Sequence, residues 1–183
     1  MELIVRAVDV GYGNTKYVTG VSGDEIRCAS FPSLAYPFPR DPSTTLGADR
    51  RKTVAIPIGG MFYEVGPDVM LAADAFRASQ IHDNFIDTPE YLALARGALR
   101  MMKVDTIDLL VVGLPVAIFA LKKAALEKLM TGSHDVGNGK TVLVRKALAM
   151  AQPNGALIDY ASQHDKVVAM ENEHSLVIDP GSR

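Results

Sequence analysis

Between Val8 and Val18 the chain reads VDVGYGNTKYV, a corner between two apolar alternating runs that carries an acid, two glycines, an amide and a lysine. Glycines at 11 and 13, on either side of Tyr12, would let backbone N–H groups converge on one concavity with no Cβ in the way. Asn14 adds an amide donor, Lys16 a compact positive charge, and Asp9 a carboxylate suited to holding water around a magnesium ion. Together these groups fit a nucleoside triphosphate. They also fit a plain hairpin, because Gly-Tyr-Gly-Asn is a good turn and paired glycines near a strand end are a weak signal. The residues alone leave both readings open.

Other chemistries fare worse. A dinucleotide fingerprint opens a helix after its glycines, whereas Thr15, Val18, Thr19 and Val21 favour a strand. A Walker loop ending at Gly139-Lys140-Thr141 would need a glycine where His134 stands. His82, His134, His164 and His174 are scattered, with no second His or Cys at ligand spacing, which argues against zinc. Cys28, the single cysteine, reads as a small buried hydrophobe in a strand, and one cysteine makes no internal disulfide.

The elements that must position the corner follow from the apolar periodicity. Residues 2–10, 14–20 and 25–31 read as three strands of an antiparallel meander. Residues 32–52, rich in Pro, Ser, Asp and Arg, read as an excursion in which Arg50-Arg51-Lys52 is a solvated loop. A hairpin follows over 53–58 and 61–65, turning at Gly59-Gly60, and then a short helix over 67–76. From Thr88 the pattern changes: an N-cap, a first-turn proline and a first-turn acid open a helix running to Met102. Residues 107–114 form a continuous apolar strand, 116–130 a helix whose wet face carries Lys122, Lys123, Glu127 and Lys128, and Gly137-Asn138-Gly139 a turn. A strand over 141–150, a helix over 155–170 and a strand over 175–178 complete an alternation that implies βαβ units.

Nearly half of the 183 residues are apolar, enough for a real core, and 19 basic against 21 acidic residues give a net charge of −2. That balance argues against direct binding of nucleic acid. No apolar run approaches the ~20 residues of a membrane helix, the start is too soon charged for a signal peptide, and the cysteine usage fits a reducing, cytoplasmic compartment.

With those landmarks in place, Asp9-Val10-Gly11-Tyr12-Gly13-Asn14-Thr15-Lys16 resembles the first phosphate loop of the actin-like ATPase superfamily, closest to plasmid-segregation actins of the ParM/StbA type and the related protein D of PRTRC clusters. Phe31-Pro32-Ser33, Val112 to Val116 and Ala151 to Ala156 are similar to later phrases of that family in the same order. Val177 to Arg183 looks like the opening of its second phosphate loop.

The resemblance implies an α/β, ribonuclease H-like domain with a mixed five-stranded sheet, flanking helices and a small inserted subdomain. Residues 1–174 would be the N-terminal domain, 32–85 its variable insertion, and 175–183 the start of a second domain cut short. ATP and magnesium would be the ligands. Asp9 and Asp179 would hold the metal through water; Gly11, Tyr12, Gly13, Asn14, Thr15 and Lys16 would border the phosphates from one side, and Gly181 and Ser182 from the other. Gln152 would orient the attacking water, although its own chemistry fits a helix-capping amide equally well. The parent protein would form ATP-dependent filaments that segregate plasmid DNA through a separate adaptor protein, with no direct nucleic-acid or membrane contact. The chain alone, with half a clamp, would bind ATP weakly and hydrolyse little. A sugar-type kinase of the same superfamily is the alternative, and a chaperone-type or cell-division relative a third. A kinase, however, usually has a carboxylate base where Gln152 stands.

Overall fold

The computed structural model describes residues 3–23, 25–41, 51–71, 85–170, 172 and 174–178. Three strands, β1 (Val5–Val10), β2 (Asn14–Ser22) and β3 (Glu25–Pro32), form the antiparallel meander expected from the sequence. Strand β4 (Tyr36–Phe38) follows, then the hairpin of β5 (Val54–Ile58) and β6 (Met61–Val65). Helix α1 spans Pro89–Met101. Beyond it lie β7 (Thr106–Ile107), β8 (Leu109–Leu114) and α2 (Val116–Met130), then β9 (Gly132–Asp135), β10 (Thr141–Val144) and β11 (Ala147–Ala151). Helices α3 (Gln152–Gln163) and α4 (Val167–Met170) complete the order.

The main sheet runs β11-β8-β1-β2-β3. Its β1, β8 and β11 strands are parallel, and β2 and then β3 extend the sheet antiparallel beyond β1. Strands β4, β6 and β5 make a separate small sheet within the 32–85 excursion, and β7, β10 and β9 make a third. The core is built from Val8, Phe31, Leu110, Val112 and Leu114 of the main sheet with Leu94 and Leu99 of α1, all essentially inaccessible to water. Burying each such side chain contributes about 1.5–3 kcal/mol.

Helix α1 starts where the cap signal places it. The Tyr91 N–H donates to Thr88 Oγ1 at 3.2 Å, and Pro89 sits where no N–H is needed. Its small residues let the helix lie close to the small sheet: a Cβ on Gly97 would stand 2.4 Å from Val65 Cγ2.

The strands expected over 107–114 and 141–150 are each broken in two. Asp108 interrupts the first, accepting from the Ile4 N–H at 2.8 Å and pairing with Arg145 at 3.2 Å. Arg145 and Lys146 interrupt the second, so β7/β10 and β8/β11 are parallel pairs in two different sheets. Strand β9, absent from the sequence reading because Gly-Ser-His-Asp has little strand preference, forms against β10 through the turn at 137–139, where all three residues have positive φ.

Other expectations are corrected. The third helix starts at Gln152, not Gly155, because Pro153 suits a first turn. It stops at Gln163, short of Met170, and Asp165 at φ 53 separates it from α4. Residues 175–178 make no ladder among the described residues. A three-residue 3₁₀ turn, Val69–Leu71, stands in the expected helix over 67–76, whose remainder lies outside the described residues. Cys28, expected to be buried, is exposed on β3, an edge strand of the main sheet with most of its residues exposed. Arg51 is no idle loop charge, since its guanidinium reaches buried Glu64 at 3.2 Å.

Candidate functional site

Strands β1, β8 and β11 run parallel, so their C-terminal ends lie together, the place where open α/β sheets hold ligands. The register sets Val8, Val112 and Ala149 in one row. One residue further on, Asp9, Gly113 and Met150 stand side by side, and Gln152 follows the end of β11. The Gln152 amide donates to Asp9 Oδ1 at 2.7 Å, across 143 residues of chain.

Gly113 makes that bond possible. A Cβ there would lie 2.4 Å from Asp9 Oδ1 and 3.2 Å from Gln152 Cγ. The sequence reading placed Gly113 in a buried strand but gave it no role. A glycine inside a strand was the available signal, since it often marks a close approach of another group.

Edge strand β11 is held from outside. Its Ala147 N–H donates to Thr131 Oγ1 and its Ala149 N–H to Glu127 Oε1, both at 3.0 Å. These bonds cap donors that an edge strand would otherwise leave open, and they fix the strand that delivers Gln152.

On the other side of Asp9, the antiparallel register pairs it with Lys16, so both side chains stand on one face of the sheet. The corner between β1 and β2 is closed by the Gly11 N–H donating to Asn14 O at 3.2 Å, with Gly13 O accepting from the Ser33 N–H at 3.0 Å. The N–H groups of Tyr12 and Gly13 have no acceptor among the described residues, and the side chains of Asn14 and Lys16 have no partner there either.

Asp9, Gly11, Tyr12, Gly13, Asn14, Lys16 and Gln152 all line one open cavity of about 810 Å³, a size that suits a nucleotide. The site expected from sequence is thus largely brought together. Thr15 points away: it is buried, with its hydroxyl 3.0 Å from Ser33 Oγ. Asp179, Gly181 and Ser182 lie outside the described residues.

The donor set fits an anion with a hydrated cation beside it. Tyr12 and Gly13 with their unpaired backbone N–H groups, the amide Asn14 and the ammonium-bearing Lys16 line the cavity, and Asp9 is the one acid lining it among the described residues. Tyr91, which the sequence reading did not single out, also lines the cavity. Burial, and next the charge of Asp9, push its phenol well above the ordinary value, so it stays a neutral donor at any physiological pH.

A mixed sheet in this order, with helices flanking it and polar groups gathered at the ends of its parallel strands, is an actin-like fold. The chain belongs to the actin-like proteins: the family model described as "Actin like proteins N terminal domain" matches residues 7–155. No curated protein matches the sequence.

Solved structures agree on the fold. The apo ParM of pSK41 superposes with a TM-score of 0.63 at 20% identity, over 87% of this chain and 52% of that one. The AlfA filament bound to AMPPNP gives 0.58 at 16% identity, over 85% and 57%. An archaeal actin homologue, Ta0583, in complex with ADP gives 0.52 at 18% identity, over 88% and 48%. The chain therefore spans about half the length of these structures.

Proposed function

We propose that this domain supplies one wall of a nucleotide clamp in an ATP-dependent, filament-forming actin-like protein that segregates plasmid DNA. The observation that carries the proposal is the Gln152–Asp9 bond at 2.7 Å, at the edge of the cavity that also receives Asn14, Lys16 and the free N–H groups of Tyr12 and Gly13. The family fold supports it, as do the nucleotide-bound states of AlfA and the archaeal homologue.

In this reading Tyr12, Gly13, Asn14 and Lys16 bind the β- and γ-phosphates of ATP. Asp9 would hold magnesium-bound water, and the metal would supply charge neutralisation at the phosphates. Gln152 turns its amide to orient the attacking water, for which a neutral amide suffices because phosphoryl transfer is mostly positioning and charge stabilisation. Asp179, Gly181 and Ser182 begin the opposite wall, so that 1–174 forms one domain and a second opens at 175. Gly11 serves the turn and not the ligand, since its N–H is taken by Asn14. Thr15 fastens β2 to the core. Gln152 suits orientation of water and not deprotonation of an alcohol, which a sugar kinase would need.

Self-association into filaments, coupling to DNA through an adaptor protein, and a cytoplasmic location belong to the full-length protein. Among the described residues no helix is long and apolar enough to cross a membrane. Light scattering and negative-stain microscopy of the full-length protein with ATP and magnesium test the proposal. Filaments that appear with ATP and shrink as it is hydrolysed are expected. Phosphorylation of a small-molecule hydroxyl without polymer would overturn it.

A further inference from the structure

Ser33 follows the last residue of β3, beside the corner, and the functional reading gives it no part. The register sets Thr15 opposite Phe31 and Asn14 opposite Pro32, so one step further Ser33 comes against Gly13. Proline has no N–H, which leaves Ser33 to supply the donor at this end of the ladder. It donates to Gly13 O at 3.0 Å, and the chain then bends away toward β4, with the Leu34 N–H on Pro32 O at 2.7 Å. The side chain adds a second tie. Ser33 Oγ lies 3.0 Å from Thr15 Oγ1, and the two residues are 2% and 0% exposed, so neither hydroxyl can take water as a substitute partner.

These ties bracket the groups that the functional reading, on which this inference rests, gives to phosphate. The free N–H groups of Tyr12 and Gly13 belong to the peptide units 11–12 and 12–13. Before them the Gly11 N–H is spent on Asn14 O, and after them Gly13 O is spent on Ser33. Peptide units are planar, so holding the neighbouring units leaves only the dihedrals of Gly11, Tyr12 and Gly13 to decide where the two N–H groups point. Two of those three residues are glycines, which hold their own dihedrals least well. We propose that Ser33 is a positioning residue for the phosphate corner: its N–H and hydroxyl hold Gly13 and Thr15 so that the N–H groups of Tyr12 and Gly13 converge in the cavity. Ser33 does not line the cavity itself and acts from behind, through Gly13, which does. A plain hairpin lacks this brace from a third strand.

Backbone couplings of the isotope-labelled chain test this without nucleotide. The HN–Hα couplings of Tyr12 and Asn14 report their φ angles, and Ser33→Ala is expected to move both toward the averaged values of a mobile turn. That variant leaves the Thr15 hydroxyl buried and alone, so the double variant with Thr15→Val, which removes both hydroxyls, is measured beside it. Amide signals of α1 show which variant is folded, and couplings unchanged in a folded one would overturn the inference. In the full-length protein both variants should bind magnesium-ATP about tenfold more weakly by calorimetry, the scale seen when a residue that orients a ligand-holding group is lost. AMP, which has neither a β- nor a γ-phosphate, should bind as before. An unchanged affinity for ATP would overturn the inference, and so would equal losses for ATP and AMP, which would trace to a general loosening of the fold. A natural protein that binds no ATP would sink the functional reading, and the couplings would still decide whether Ser33 sets the corner.

Discussion

Two helices, α1 and α3, bring side chains to the same cavity and are built in opposite ways. Helix α1 buries seven residues, among them Leu94 and Leu99, and its first turn is capped by Thr88. Helix α3 buries Ala161 alone and has no side-chain cap. Stability within a fold is uneven, and segments with few buried contacts open at lower free energy. Asp9, on a central strand beneath a well-packed helix, is the fixed member of the pair. Gln152 stands where the anchored strand β11 gives way to the thinly packed helix. One wall of the cavity is thus carried by a well-packed, capped helix and the other by a thinly packed, uncapped one.

The sharpest way to break that arrangement is Gly113→Val. The added Cβ would lie 2.4 Å from Asp9 Oδ1, so the carboxylate must leave its place beside Gln152. Misplacement on this scale is worth on the order of 100-fold, and we expect that loss in magnesium-ATP affinity of the full-length protein, measured by calorimetry.

The same substitution, glycine to alanine, should have opposite signs on the two helices. At Gly97 of α1 the new methyl meets Val65 at 2.4 Å. Overpacking outweighs the helix-propensity gain there, and we expect a loss of about 1–2 kcal/mol in urea unfolding. At Gly155 of α3 nothing lies within 4 Å, and alanine should add about 0.5–1 kcal/mol. Equal effects at the two positions would remove the contrast between the helices.

A smaller effect belongs to the anchored side. His134 is buried on β9, with Nε2 against the carbonyl of Met130, the last residue of α2, at 2.9 Å and Nδ1 unpaired among the described residues. Burial is the main cause that holds its pKa below the ordinary value; the Met130 carbonyl pulls the other way, and the charge of Arg96 lowers it further. The folded protein therefore resists a proton that the unfolded chain accepts below about pH 6.5. Stability should be level above that pH and fall as pH drops from there toward the lowered folded value. Urea midpoints at about pH 7.5 and about pH 5.5 should differ less in His134→Gln than in the natural protein.

Much of this was legible in the residues. The alternating runs around Val8 to Val18 placed β1 and β2, and Thr88-Pro89-Glu90 placed the start of α1, while the corner's residue types left a phosphate cradle and a plain hairpin both open. Long-range geometry was not legible. Nothing local in Gln152 says that it meets Asp9, because that contact depends on the parallel register of three strands. Gly113 escaped for the same reason: it matters for a side chain it lacks. The broken strands at Asp108 and Arg145 had a signal in their charges, but apolar residues on both sides of each break outweighed it. Thr15, grouped with the phosphate loop, faces the core because strand alternation turns it away from Lys16.

The central claim is that the corner between β1 and β2 receives phosphate through its free N–H groups. Amide chemical-shift mapping of the isotope-labelled chain during titration with magnesium-ATP tests it most directly, and even weak binding is visible. The account expects the Tyr12 and Gly13 amides to shift most, with the Asn14 and Gln152 side-chain amides following. Shifts centred elsewhere, or none at these positions with nucleotide in large excess, would contradict it.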